Sequence, residues 1–184
     1  KQTNFFINNF KWKSNKWLNS LGFESYFEGL VKAVNYDAEN TKLYKNEKTN
    51  SEAHAALGYF AKLKLYKEDF IKKSFHALTP KILLRYAPGS MRNLRNNSGR
   101  LNYENVFNLS KIENVIDAVE PGVSTSIGFE YKKNQLNELN EISDEVYSLS
   151  MGQVISAKEN MDIPSSTSLE QRFSDIVGVA QYNV

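Results

Sequence analysis

Lys62, Lys64, Lys81, Arg85, Arg92, Arg95 and Arg100 are the residues of this 184-residue chain whose type and placement point to chemistry. On an extended backbone, side chains two or four residues apart share a face, so Lys62 falls beside Lys64 and Lys81 beside Arg85. A guanidinium grips a phosphate or carboxylate through two parallel hydrogen bonds, and an ammonium acts on it as a point charge. That chemistry is recognition of an anion rather than the making of a bond. An alternative is a hydrated wall, in which these cations, with Lys132, pair across strands with Glu24, Glu28 and Glu130. Arg92, Arg95 and Arg100 lie in a turn-rich stretch, where they can meet anionic sugar phosphates or hold a loop against acidic neighbours.

Other chemistries find little support. The chain has no cysteine and two histidines, His54 and His76, neither beside a metal or nucleophile motif. No Gly-x-Ser-x-Gly is present, so no catalytic residue, metal ligand or cofactor site is expected. Glu138, Glu141, Asp144 and Glu145 lack the spacing of a calcium loop and read as a solvated turn. Lys and Arg total 23 against 21 acids, a balance that gives no nucleic-acid surface.

The elements that must carry the cations follow a period of two. In Val123-Ser124-Thr125-Ser126-Ile127-Gly128-Phe129-Glu130-Tyr131-Lys132 and in Tyr147-Ser148-Leu149-Ser150-Met151-Gly152, apolar residues alternate with small, polar or charged ones. Such a strand has one greasy face and one wet face. The same pattern places strands at about 2–13, 16–36, 51–66, 70–86, 118–132, 145–157 and 173–184. Residues 37–50 read as a long polar loop, and 87–116 as one elaborate outer loop that includes the short apolar stretch 101–109. Pro80 cannot donate to a ladder, so a bulge or weakened pairing is expected there. Trp12, Trp17, Tyr26, Phe27, Tyr36, Tyr59 and Tyr147 are suited to interfacial girdles.

No run approaches the roughly 18 apolar residues of a membrane helix, so a bilayer could be crossed only by strands. The expected fold is all-β, an antiparallel transmembrane β-barrel segment of about seven meandering strands with long outer loops. An odd number of strands cannot close in lipid, and the chain opens at Lys1 inside a strand pattern without an initiator methionine or signal peptide. Residues 1–184 are therefore expected to be a single domain, an excerpt of a larger outer-membrane barrel. A porin or siderophore-type transporter barrel shares every strand pattern. A soluble β-sandwich binding module would instead bury the greasy face.

Four segments in serial order resemble the LPS-assembly (LptD, OstA) family: Pro80 to Asn93, Arg100 to Phe107, Glu120 to Phe129, and Ser148 to Val154. Asp162 to Leu169, closing on Ser174 to Gly178, is similar to the α-proteobacterial members. Asp117-Ala118-Val119-Glu120-Pro121-Gly122 departs from the family's frequent Asp-Arg-apolar-Glu-Gly-Gly. The resemblance implies an internal part of the C-terminal barrel domain in the outer membrane of a Gram-negative bacterium. It implies that the whole protein receives lipopolysaccharide from a periplasmic Lpt bridge through an N-terminal domain. It also implies an LptE-like plug lipoprotein, delivery of lipopolysaccharide to the outer leaflet, and outer membrane lipid around the wall. Lys62, Lys64, Lys81 and Arg85 would then face the lumen, with lipopolysaccharide phosphates or the plug as their partners.

Overall fold

A computed structural model of the chain describes residues 2–39, 44, 50–112 and 115–183. Within them run nine antiparallel strands: β1 (Gln2–Lys13), β2 (Trp17–Leu18), β3 (Phe23–Glu39), β4 (Asn50–Leu63), β5 (Leu65–Asp69), β6 (Ser74–Ala87), β7 (Gly122–Leu136), β8 (Ile142–Ser156) and β9 (Val177–Tyr182). Seven form a meander in the order β1-β3-β4-β6-β7-β8-β9, while β2 pairs with β3 and β5 with β6. The sheet stays open, with β1 and β9 at its edges. Of the expected 37–50 loop, residues 40–43 and 45–49 lie outside the described residues, as do Glu113 and Asn114 of the long loop and the chain ends Lys1 and Val184.

Two long strands expected from the periodicity are broken. The stretch 16–36 divides at Asn19–Gly22, where Asn19 Oδ1 accepts from the N–H groups of Leu21 and Phe23, both at 3.0 Å. Gly22 takes φ of +82°, which glycine adopts without strain. The stretch 51–66 divides at Lys64, one residue after the position that faces Pro80. The ladder from β6 to β7 runs unbroken through Pro80, paired with Phe129. On its other side, pairing with β4 stops at Lys62↔Lys81 and resumes unshifted in β5 at Leu65↔Leu78. A missing donor thus opens the ladder on one side only.

The pleat sorts the side chains. One face carries Phe6, Phe10, Phe27, Val31, Leu57, Leu84, Val123 and Ile127, all exposed, with Phe6 at 66 %. Soluble monomers seldom show a contiguous apolar patch of more than a few hundred Å². Trp17, Phe27 and Tyr59 form a row of rings on this face, the first pair edge-to-face and the second tilted, with centroids 5.7 and 5.0 Å apart. Tyr26 and Tyr36 correct the girdle expectation: both point to the opposite face, Tyr26 stacked on Phe60 at 5.0 Å and Tyr36 buried.

That opposite face is polar on the strands, yet the core lies over it. Residues 88–121 fold across it and bury Met91, Leu94, Leu101, Val106, Ile112, Val115 and Ala118 against Val154 of β8 and against Ile163 and Leu169 of the segment after it. A second cluster joins Leu109 and Val119 to Leu30, Ala56 and Ala87 of the wall. The Ser126 hydroxyl donates to the Val106 carbonyl at 2.6 Å, and Phe107 lies over Gly128. The stretch that the sequence marks as one long loop is thus a loop whose apolar residues cover this face.

Candidate functional site

The covered face brings charges together from six strands and the long loop. In β3 and β4 the pair Glu24↔Lys62 is in direct register, with Lys62 Nζ 3.4 Å and Lys16 Nζ 3.0 Å from Glu24 Oε1. Glu28, four residues on, meets Lys13 of β1 at 3.8 Å. In β6 and β7, Lys81 pairs with Glu130, which also accepts from the Tyr103 hydroxyl at 3.1 Å. Lys132 reaches Glu145 at 2.6 Å, and Glu145 thereby leaves the acidic turn for an ion pair. Among the described residues no group of three or more His, Asp or Glu could hold a metal ion.

Arg85 is held differently. It is 3 % exposed, and its guanidinium donates to the carbonyls of Leu109, at 2.6 Å, and Glu120. Its Nη2 lies 3.8 Å from the Glu120 carboxylate. The same carboxylate accepts the backbone N–H of Lys111 at 2.7 Å, so one wall arginine fixes both ends of the loop segment 109–120. Farther along, Lys32 of β3 donates to the Ala118 carbonyl at 3.0 Å.

Arg92 turns inward from the loop. It pairs with Glu52 of β4 at 2.5 Å and with Asp117, and lies 4.4 Å over the ring of Tyr44, whose hydroxyl donates to Asp117 at 2.6 Å. Burial and the neighbouring Asp117 carboxylate push the Tyr44 hydroxyl well above its ordinary range. Lys64, by contrast, stands exposed in the gap between β4 and β5, and its backbone N–H donates to Gly22 at 3.3 Å. Arg95 and Arg100 are exposed on the loop and make no ion pair among the described residues. Of the seven cations singled out by type and spacing, Lys62, Lys81, Arg85 and Arg92 thus converge on one face.

Sequence reasoning missed Lys32, Glu52, Lys111, Asp117 and Glu120. Lys32 shares the parity of Glu24 and Glu28, so the alternation could have found it. Lys111 carries no such signal, because only the path of the loop decides its surroundings. It is 1 % exposed, and burial pushes its ammonium down to about 7, with Arg85 adding to the shift and Glu120 and Glu28 opposing it. The histidines stand apart. His54 lies 3.6 Å from Glu52, and His76 sits between the Ser74 hydroxyl at 3.1 Å and the Tyr131 hydroxyl at 2.8 Å, with Ser74 itself buried.

A single antiparallel sheet, apolar and bare on one side and charged and loop-covered on the other, defines an all-β protein. No helix among the described residues is long and apolar enough to cross a membrane, which says nothing of strands. The chain belongs to the LptD family: residues 10–184 match the family described as LPS transport system D. This is a family of outer-membrane transport proteins of Gram-negative bacteria rather than of enzymes. No curated protein matches the chain.

Proposed function

We propose that the chain is the middle stretch of a larger transmembrane barrel, of α-proteobacterial type, through which lipopolysaccharide passes to the outer leaflet of the outer membrane. The observation that carries this reading is the reversal of the two faces. Large apolar side chains are exposed on the side without a cover, and charges lie under the loop. A water-soluble sandwich needs the opposite, a greasy face against a second sheet. In a bilayer the arrangement is the stable one, because a midplane Lys or Arg facing lipid costs about 2–4 kcal/mol and one facing the lumen does not.

In the intact barrel the open edges β1 and β9 continue into neighbouring strands, as lipid requires. The charged face, with Lys62, Lys81, Arg85 and Arg92, lines the lumen that admits sugar and phosphate, alongside an LptE-like plug lipoprotein. Lys64, Arg95 and Arg100 remain available as exposed contacts for the same anions. Lipopolysaccharide arrives over a periplasmic bridge, and no residue here makes or breaks a bond. The family match and the single-sided wall favour this reading over a porin or a soluble binding module.

Cysteine labelling along β7 in the full-length protein tests it. Val123, Ile127 and Phe129 are expected to report lipid, while Ser124 and Glu130 report protein or water. Water at both parities would sink the membrane reading.

A further inference from the structure

We propose that Lys111 and Arg85 form a binding site for an oxyanion, a phosphate or carboxylate, in the cavity between the loop cover and the β7–β8 end of the wall. The cavity measures about 390 Å³ and is lined by Arg85, Lys111, Glu120, Ser124, Ser156 and Lys158 among others. Lys111 is fully buried, it is one of the residues that bound this space, and among the described residues its Nζ has no hydrogen-bond partner.

The charges around it do not balance. Arg85 and Glu120 answer each other at 3.8 Å, and two of the arginine's five N–H donors go to carbonyls, which leaves Nη1 for a ligand. Glu120 Oε1 is taken by the Lys111 backbone N–H, which leaves the ammonium itself unanswered. Two buried cations thus face one buried carboxylate, and the half-buried Glu28 beyond them already answers Lys13 at 3.8 Å. An unpaired ammonium away from water is costly to hold, and a visiting oxyanion relieves it with a short charge-assisted bond. Glu120 Oε2 also has no partner, which suits a ligand carrying a hydroxyl or an acidic proton beside its anionic oxygens. The chemical class is therefore a phosphate monoester or an acidic sugar, with exposed Lys158 at the rim as the first point of attraction.

Inorganic phosphate exists free, and lipopolysaccharide carries the same chemistry; only the second source rests on the transport reading above. The test uses the full-length protein in detergent, with inorganic phosphate as probe and chloride matched for ionic strength. Phosphate is expected to raise the melting temperature of the wild type by a few degrees, in a saturable manner. Lys111→Met should abolish the rise without lowering the melting temperature in chloride. Lys72→Met, in the exposed turn before β6 and outside the cavity, should retain it. Ser156→Trp, which fills the cavity with Lys111 intact, should also abolish it. No rise in the wild type, or an equal rise in Lys111→Met, overturns the site.

Photo-crosslinkers placed in cells at Ser156 and at Lys62 separate the sources. A lipopolysaccharide adduct at Ser156 that Lys111→Met removes assigns the lipid-borne anion. An adduct at Lys62 alone, with phosphate protection intact, assigns the free ion to the cavity and leaves transport standing. Phosphate protection with no adduct at either position sinks the transport reading and leaves the site.

Discussion

Arg92 Nη1 lies 2.5 Å from Glu52 Oε2, a contact that ties the long loop to a strand forty residues earlier in the chain. With Asp117 on its other side, the guanidinium bridges two carboxylates from different elements. The pairing is what keeps the loop's acidic end against the wall.

Replacing Arg92 by Met removes the cation that bridges Glu52 and Asp117. A loss of about 2–3 kcal/mol is expected, because both carboxylates lose their nearest counterion, with only Lys32 left towards Asp117 and His54 towards Glu52. Adding Asp117→Asn should recover part of it. Thermal unfolding in detergent reads the stability, and protease cleavage within 88–121 reads the release of the loop. Full stability in Arg92→Met would show that the bridge holds nothing.

Lys111 gives a prediction with a sign in pH. Its ammonium is depressed from 10.5 to about 7 by burial, faced by Arg85 from β6, Glu120 from the loop and Glu28 from β3. Between those two values the unfolded chain binds the extra proton, so stability rises with pH across that window. Without added anions, Lys111→Met should therefore exceed the wild type by about 2–5 kcal/mol at pH 6, and the gap should close towards pH 10.5. Melting temperatures of both proteins at pH 6, 8 and 10 decide it; a gap that grows with pH would contradict the buried ammonium.

Gly128 and Gly152 face each other across β7 and β8. A Cβ at Gly128 would run into the Met151 carbonyl and lie 3.0 Å from the Phe107 ring. Backbone cannot yield as a side chain can, so Gly128→Ala is expected to cost about 1–3 kcal/mol. At Gly58 the nearest atoms are methyls of Leu109 and Leu83, at 2.6 and 3.0 Å, and Gly58→Ala should be milder while loosening the loop. Equal melting temperatures for the two variants would remove the distinction.

Ile127→Lys separates a lipid-facing wall from a wetted one. Ile127 is 41 % exposed, and a soluble surface would tolerate the lysine within about 0.5 kcal/mol. Facing hydrocarbon, it should cost about 2–4 kcal/mol, and Ser126 and Glu130 variants should not show that depth dependence. Folding titrations into lipid vesicles make the measurement.

Much of the wall was legible because strand parity is a local property. The alternation in Phe6, Phe10 and Trp12 and in Val123 to Lys132 needs only the pleat to be read, and the faces follow. The breaks at Asn19–Gly22 and Lys64 were not legible in the same way. Each depends on a contact from elsewhere, the Asn19 side chain folding back or Pro80 lacking a donor across the sheet. The loop was the larger miss, since Met91, Leu94, Leu101 and Val106 carry no period and their burial is decided by partners after β8. Lys111 was invisible for the same reason: a lysine in a polar stretch gives no sign that it will be enclosed.

The loop core has a consequence for how the chain is built. Its inner residues close against Val154, Ile163 and Leu169, and the Leu94 N–H donates to the Asp162 carbonyl at 2.7 Å, sixty-eight residues on. A growing meander can add each hairpin to the last, but it cannot finish this packing until β7, β8 and the segment beyond them have arrived. Residues 88–121 must wait with their greasy side chains unsatisfied, at a loop-closure penalty that local hairpins do not face. Assembly therefore contains a late clasp, and any factor that shields that segment while it waits would set the pace of the whole wall.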